Sequence, residues 1–133
     1  MRVVYGLLAV CGLFLVAALA GFFDSPEQKV VSATRKCRSA LGINMLEKAA
    51  EYCKEAADGA RDSERVSHLA AAGANMQMAA FVLTQKRVGE AADYCRLAVA
   101  NWSKVSPGFM DSERAKDIAA CGSVISLSLK TKL

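Results

Sequence analysis

The alternation of apolar and polar positions divides the chain into an uncharged leader and a body of helical period. From Val3 to Phe23 no charged side chain interrupts the run. Beyond it, Asp24-Ser25-Pro26-Glu27-Gln28 has the cap residue, the early Pro and the acid that open a helix, which is predicted over Pro26 to Leu41. Gly42-Ile43-Asn44 is read as the turn, with Gly42 supplying the left-handed residue at the helix end. The next segment, Met45 to Ala57, sets Leu46, Ala49, Ala50, Cys53 and Ala57 on one face at i, i+3/i+4 spacing. Glu47, Glu51, Lys54, Glu55 and Asp58 cover its other side, and Asp58-Gly59 closes it.

A third and longest helix is predicted from Asp62 to Lys86, with Asp62-Ser63-Glu64 as its start. Its stretch from Leu69 to Leu83 is uncharged and rich in Ala, Met and Gly, the pattern of a helix with neighbours on several sides. Gly73 within it costs about 1 kcal/mol against Ala, which a close backbone approach would offset. A fourth helix spans Gly89 to Ser103. Ser106-Pro107-Gly108 then breaks the chain, and Asp111-Ser112-Glu113-Arg114 starts a fifth that reaches Leu129. No strand-like alternation is long enough to matter. The pattern predicts an all-α body of about five antiparallel helices, residues 24–133, behind an N-terminal hydrophobic segment, residues 1–23.

One stretch of the body occurs twice. Ala49-Ala50-Glu51-Tyr52-Cys53-Lys54 returns as Ala91-Ala92-Asp93-Tyr94-Cys95-Arg96, an offset of 42 residues that keeps the charge signs. At the same offset Leu41, Leu83 and Ile125 fall in register, as do Cys37, Ala79 and Cys121. A repeat of that length fits one pair of helices with its turns and points to stacked hairpins. The small residues midway along the first helix (Cys37, Ala79) and near both ends of the second (Ala49 and Ala56; Ala91 and Ala98) resemble those of tetratricopeptide-like repeats. The resemblance runs from about Val31 to Leu129 and implies two hairpins plus a closing helix. It departs from the family in its longer unit, in lacking the large aromatic of the first helix, and in having Pro after only one second helix, at Pro107. It also implies a concave face built from the first helices, which carries Thr34 and Arg38 from the first pair and Met76, Ala80, Leu83 and Thr84 from the second. For Met76, with Met78, Phe81 and Leu83, ordinary core packing is the competing reading.

The cysteines sharpen this picture. Four of the five lie in the body. Cys37 and Cys53 are equidistant from the first turn, and Cys95 and Cys121 from the Pro107-Gly108 break. Residues equidistant from the turn of an antiparallel hairpin come level, so the expected disulfides are Cys37–Cys53 and Cys95–Cys121; buried free thiols are the alternative. No Cys-x-x-Cys spacing and a single histidine, His68, argue against a zinc site. Asn101-Trp102-Ser103 matches a glycosylation acceptor pattern, and Trp102 is read as packing the end of the fourth helix.

Charge and composition narrow the class of function. The chain of 133 residues is 53% hydrophobic, much of it in the leader. With Arg2 set aside, 16 basic and 13 acidic side chains are mixed along the body, and no basic run exceeds two. That is a solvated surface without the basic stripe or aromatic platforms of a nucleic-acid binder. The leader fits a cleaved signal peptide, with Ala18-Leu19-Ala20 before Gly21, and equally a retained membrane anchor, since about 20 apolar residues span a bilayer. Either reading places the body outside the cytoplasm, with Arg2 inside, and membrane contact only through the leader. No paired acids, activated nucleophile, phosphate loop or metal spacing is present, so no enzyme activity, cofactor or metal is expected. The expected function is an extracytoplasmic module that binds a protein or peptide, compatible with a homodimer that extends the groove. Alternatives are a small disulfide-stapled helical inhibitor or immunity protein, and a carrier of a hydrophobic small molecule between the third and fourth helices.

Overall fold

A computed structural model describes residues 25–131, and the leader expectations fall outside them. The described residues form five helices and no strand: α1 (Pro26–Gly42), α2 (Leu46–Gly59), α3 (His68–Thr84), α4 (Val88–Trp102) and α5 (Asp111–Thr131). Helix α1 packs on α2 and α3 on α4; α3 also contacts both α1 and α2, and α5 closes the stack against α4.

The 42-residue spacing is written into the backbone. Ser25 caps α1 by accepting from Gln28 N, and Ser67 caps α3 by accepting from Ala70 N, at the same offset. Each first helix is 17 residues long. Each ends on a left-handed residue, Asn44 (φ 59°) and Lys86 (φ 61°), again at that offset. Met45 N donates to Ala40 O at 2.9 Å and Arg87 N to Val82 O at 3.1 Å, the 6→1 bond of a Schellman cap. The second bond of the motif, Asn44 N to Leu41 O and Lys86 N to Leu83 O, is also present in both. The two turns are therefore one structure made twice, from sequences that share no residue between positions 43–45 and 85–87.

Two expectations need correction here. The left-handed residue of the first turn is Asn44; Gly42 completes α1. Asn tolerates this conformation through local hydrogen bonding, and the Schellman bonds fix its place. The third helix starts at His68, not Asp62. Residues 60–66 instead turn back on themselves, which lets Val66 bury with Val30, Ala33 and Ala71. That tertiary contact outweighs the local capping signal of Asp62-Ser63-Glu64.

The core is built mainly from small side chains. Each helix buries a stripe: Val30, Ala33, Cys37 and Ala40 on α1; Ala49, Cys53, Ala56 and Ala57 on α2; Ala91, Ala92, Cys95, Ala98 and Trp102 on α4. Helix α3 buries eight residues spread around its circumference, as its uncharged middle predicts for a helix with three packed neighbours. Helix α5 buries only Cys121 and Ser128, consistent with a terminal position. A core of this kind gains little transfer free energy per residue, since stabilisation scales with the apolar area buried.

Glycine marks one place where helices touch. A Cβ added at Gly59 would lie 2.7 Å from Val30 Cγ2, whereas one at Gly73 would meet Thr34 Cγ2 at 3.8 Å, an ordinary contact. The close approach expected at Gly73 is thus found at Gly59. We expect Gly59→Ala to cost about 1–3 kcal/mol by overpacking against buried Val30. Gly73→Ala should instead stabilise by about 0.5–1 kcal/mol through helix propensity. Urea unfolding of the two variants measures both, and equal shifts would contradict the packing described.

Candidate interaction cleft

The first helices of the two hairpins lie side by side and leave between them a shallow cleft of about 290 Å³. Helix α1 contributes Val31, Thr34, Arg35 and Arg38, a stripe at i, i+3, i+4, i+7; α3 contributes Leu69, Ala70 and Gly73. The cleft exists because the α3 side is small where the α1 side is long. The Thr34 hydroxyl donates to Val30 O at 2.7 Å, so its polar atom is satisfied and its methyl is turned to Gly73. The ion pairs among the described residues are all local, Arg65–Asp62, Arg87–Glu90 and Arg96–Asp93. Arg35 and Arg38, both exposed, take part in none of them.

Of the residues expected on this face, Thr34 and Arg38 line the cleft and the other four do not. Met76 is half-buried, with Sδ 3.2 Å from Cys121 Sγ, beside Ala79 and Cys95. Thr34 and Met76 are in repeat register, and each faces the next first-type helix; the short Thr leaves a cleft there, and the long Met fills it. Ala80, Leu83 and Thr84 are exposed toward the far end of α3, beyond the cleft. The Thr84 hydroxyl donates to Phe81 O. Val31, Arg35, Leu69 and Ala70 were not singled out from sequence, and Gly73 was marked only for a close helix approach. Gly73 stands 42 residues after Val31, so register alone could have matched them.

Both expected cysteine pairs come together. Cys37 and Cys53 have Cα atoms 4.8 Å apart, and Cys95 and Cys121 5.1 Å, inside the range a disulfide spans. All four are buried. The first pair closes the α1–α2 hairpin; the second joins α4 to α5, across units, with Ala79 of α3 against it. The two pairs are compatible with an oxidising, extracytoplasmic location. Among the described residues, no helix is long and apolar enough to cross a membrane.

The α4–α5 corner carries the main polar network. Trp102 is 3% exposed; its Nε1 donates to Asp117 Oδ2 at 2.9 Å, and the Arg114 guanidinium lies 5.6 Å from its ring centroid. Arg114 also donates to the carbonyls of Val105 and Ser106, clamping the loop after α4. Burial pushes the Asp117 carboxyl above its ordinary range; the Trp102 hydrogen bond pulls it down, Glu113 raises it and Arg38 lowers it. Arg38 on α1 thus acts on the charge of Asp117 on α5. His68 Nδ1 lies 3.0 Å from Asn101 Oδ1, tying the start of α3 to the end of α4. Asn101 is engaged by this contact and by donating to Leu97 O, so the acceptor pattern it begins has a structural use. Among the described residues, no group of three His, Cys, Asp or Glu side chains is placed to hold a metal ion. Comparison with known families, characterised proteins and solved structures finds no match for the chain.

Proposed function

We propose that this chain is an extracytoplasmic, non-enzymatic interaction module of tetratricopeptide-like hairpins, holding a peptide or protein segment of a partner in the α1–α3 cleft. What supports the reading is one observation: two hairpins with the same caps and turns stack so that their first helices stand adjacent around an open cleft. Side chains of the partner would bury against Val31, Leu69 and the methyl of Thr34. Arg35 and Arg38 would meet carboxylates or carbonyls at the rim and set orientation more than affinity. A rigid cleft suits this role because little ordering is left for the moment of binding.

A photo-crosslinking residue placed at Arg38 tests the proposal in cells that make the protein. The expected result is a discrete adduct with a protein, absent when the same residue is placed at Ser126 on α5 and lost when Gly73→Trp fills the cleft. Equal labelling from both positions, or none from Arg38, would contradict it. Lipid captured at Arg38 in place of protein would favour the carrier reading.

A further inference from the structure

A second surface, on the other side of α1, has a different chemistry. The turn that places Asn44 in the left-handed region throws Ile43 and Met45 outward, and they are 68% and 48% exposed. With Tyr52 of α2 they floor a shallow pocket of about 410 Å³, and Arg35, Lys36 and Lys48 stand around it. Among the described residues, no carboxylate lines it. None of the three cations takes part in the ion pairs found among the described residues. Lys36 Nζ sits 5.4 Å from the Tyr52 ring centroid, so this charge is held at the pocket rim against the aromatic face. Glu47 and Glu51, the acidic side chains beside Lys48 and Tyr52 in sequence, are exposed and do not line the pocket.

From this we infer that the α1–α2 turn pocket docks an acidic segment of a partner protein, one with a large apolar side chain flanked by carboxylates. The apolar side chain would cover Ile43, Met45 and Tyr52, removing their surface from water, while the carboxylates would meet Arg35, Lys36 and Lys48. Charge complementarity selects this occupant. A basic or neutral segment would gain the apolar contact alone, and a purely acidic one would leave the pocket floor wet. The Schellman bonds at Asn44 and Met45 fix the floor before binding, so the pocket is a preformed seat for a side chain. It is separate from the α1–α3 cleft and does not depend on that reading; the two share only Arg35.

The test uses the full chain and a fluorescent synthetic peptide in which a leucine–phenylalanine pair is flanked by aspartates. Binding is read by fluorescence anisotropy. The expected result is saturable binding that weakens with added salt and falls about tenfold or more when the aspartates become asparagines or the apolar pair becomes serines. Lys36→Glu with Lys48→Glu, or Ile43→Ser with Met45→Ser, should weaken it as much at unchanged circular dichroism. Arg38→Glu, in the other cleft, should leave it intact. Should a double variant unfold, Lys48→Gln alone decides by the same readout. Absence of binding, or equal binding by the charge-reversed variant, would overturn the inference. So would patch-dependent binding of phosphatidylglycerol vesicles without binding of the peptide.

Discussion

The full chain carrying Cys95→Ala and Cys121→Ala is expected to lose about 3–4 kcal/mol of stability, and its urea midpoint should fall accordingly. The bridge spans 26 residues, and chain-entropy arguments put the constraint lost from the unfolded state in that range. The same logic gives about 3 kcal/mol for Cys37–Cys53, which spans 16. These are large fractions of a stability expected to total only about 5–15 kcal/mol, because the buried stripes are mostly alanine. Reductant provides the control. It should lower the midpoint of the native chain to below that of either double variant and leave a chain lacking all four cysteines unmoved. A native chain indifferent to reductant would show that the pairs are not bonded.

Trp102→Ala is expected to cost about 3–5 kcal/mol, the range for truncating a large buried aromatic. Three things are lost together: the buried ring, the hydrogen bond to Asp117 and the face on which Arg114 rests. Trp102→Phe keeps much of the ring and isolates the hydrogen bond. Asp117 adds a pH signature. Burial favours its neutral form, so the folded chain holds this proton more tightly than the unfolded chain does. Its contribution is therefore greatest below its ordinary value of 3.8 and is lost as pH rises through the shifted one. Asp117→Asn keeps an acceptor for Trp102 and removes that loss. Urea unfolding across acid to neutral pH should show variant and native chain converging in acid and the variant favoured at neutral pH. The opposite slope would mean that the ion–dipole contact with Trp102 outweighs burial.

The repeat was legible because helix pairs reuse the same close contacts. Ala49 and Ala91, Cys53 and Cys95, and Ala56 and Ala98 are all buried, and at these positions any larger side chain would push the helices apart. The cysteine pairing was legible for a related reason, since an antiparallel hairpin brings turn-symmetric positions level whatever the neighbouring residues are. Other features depended on contacts that local pattern does not carry. Asp62-Ser63-Glu64 has every mark of a helix start, yet burial of Val66 against Val30 holds that segment in turns. Ser67, in register with Ser25, was the better signal. Lys86 has no intrinsic liking for the left-handed region, and only the repeat relation to Asn44 points to it. The cleft was half legible. Thr34 and Arg38 follow from the resemblance, but whether Met76 opens or fills the next cleft depends on the length of its side chain against α5.

These parts combine into a single account. A duplicated hairpin supplies adjacent first helices, the cleft between them offers two arginines that take part in none of the ion pairs among the described residues, and two buried cysteine pairs hold a thin core in shape. The most direct check is mass spectrometry of the protein alkylated without reductant and cut with trypsin, which cleaves on both sides of each cysteine segment. The account predicts no alkylated thiol among the four body cysteines and two linked species. One joins Cys37-Arg38 to the peptide 49–54, and the other joins 88–96 to 117–130. Four alkylated thiols, or links between the two sets, would contradict it.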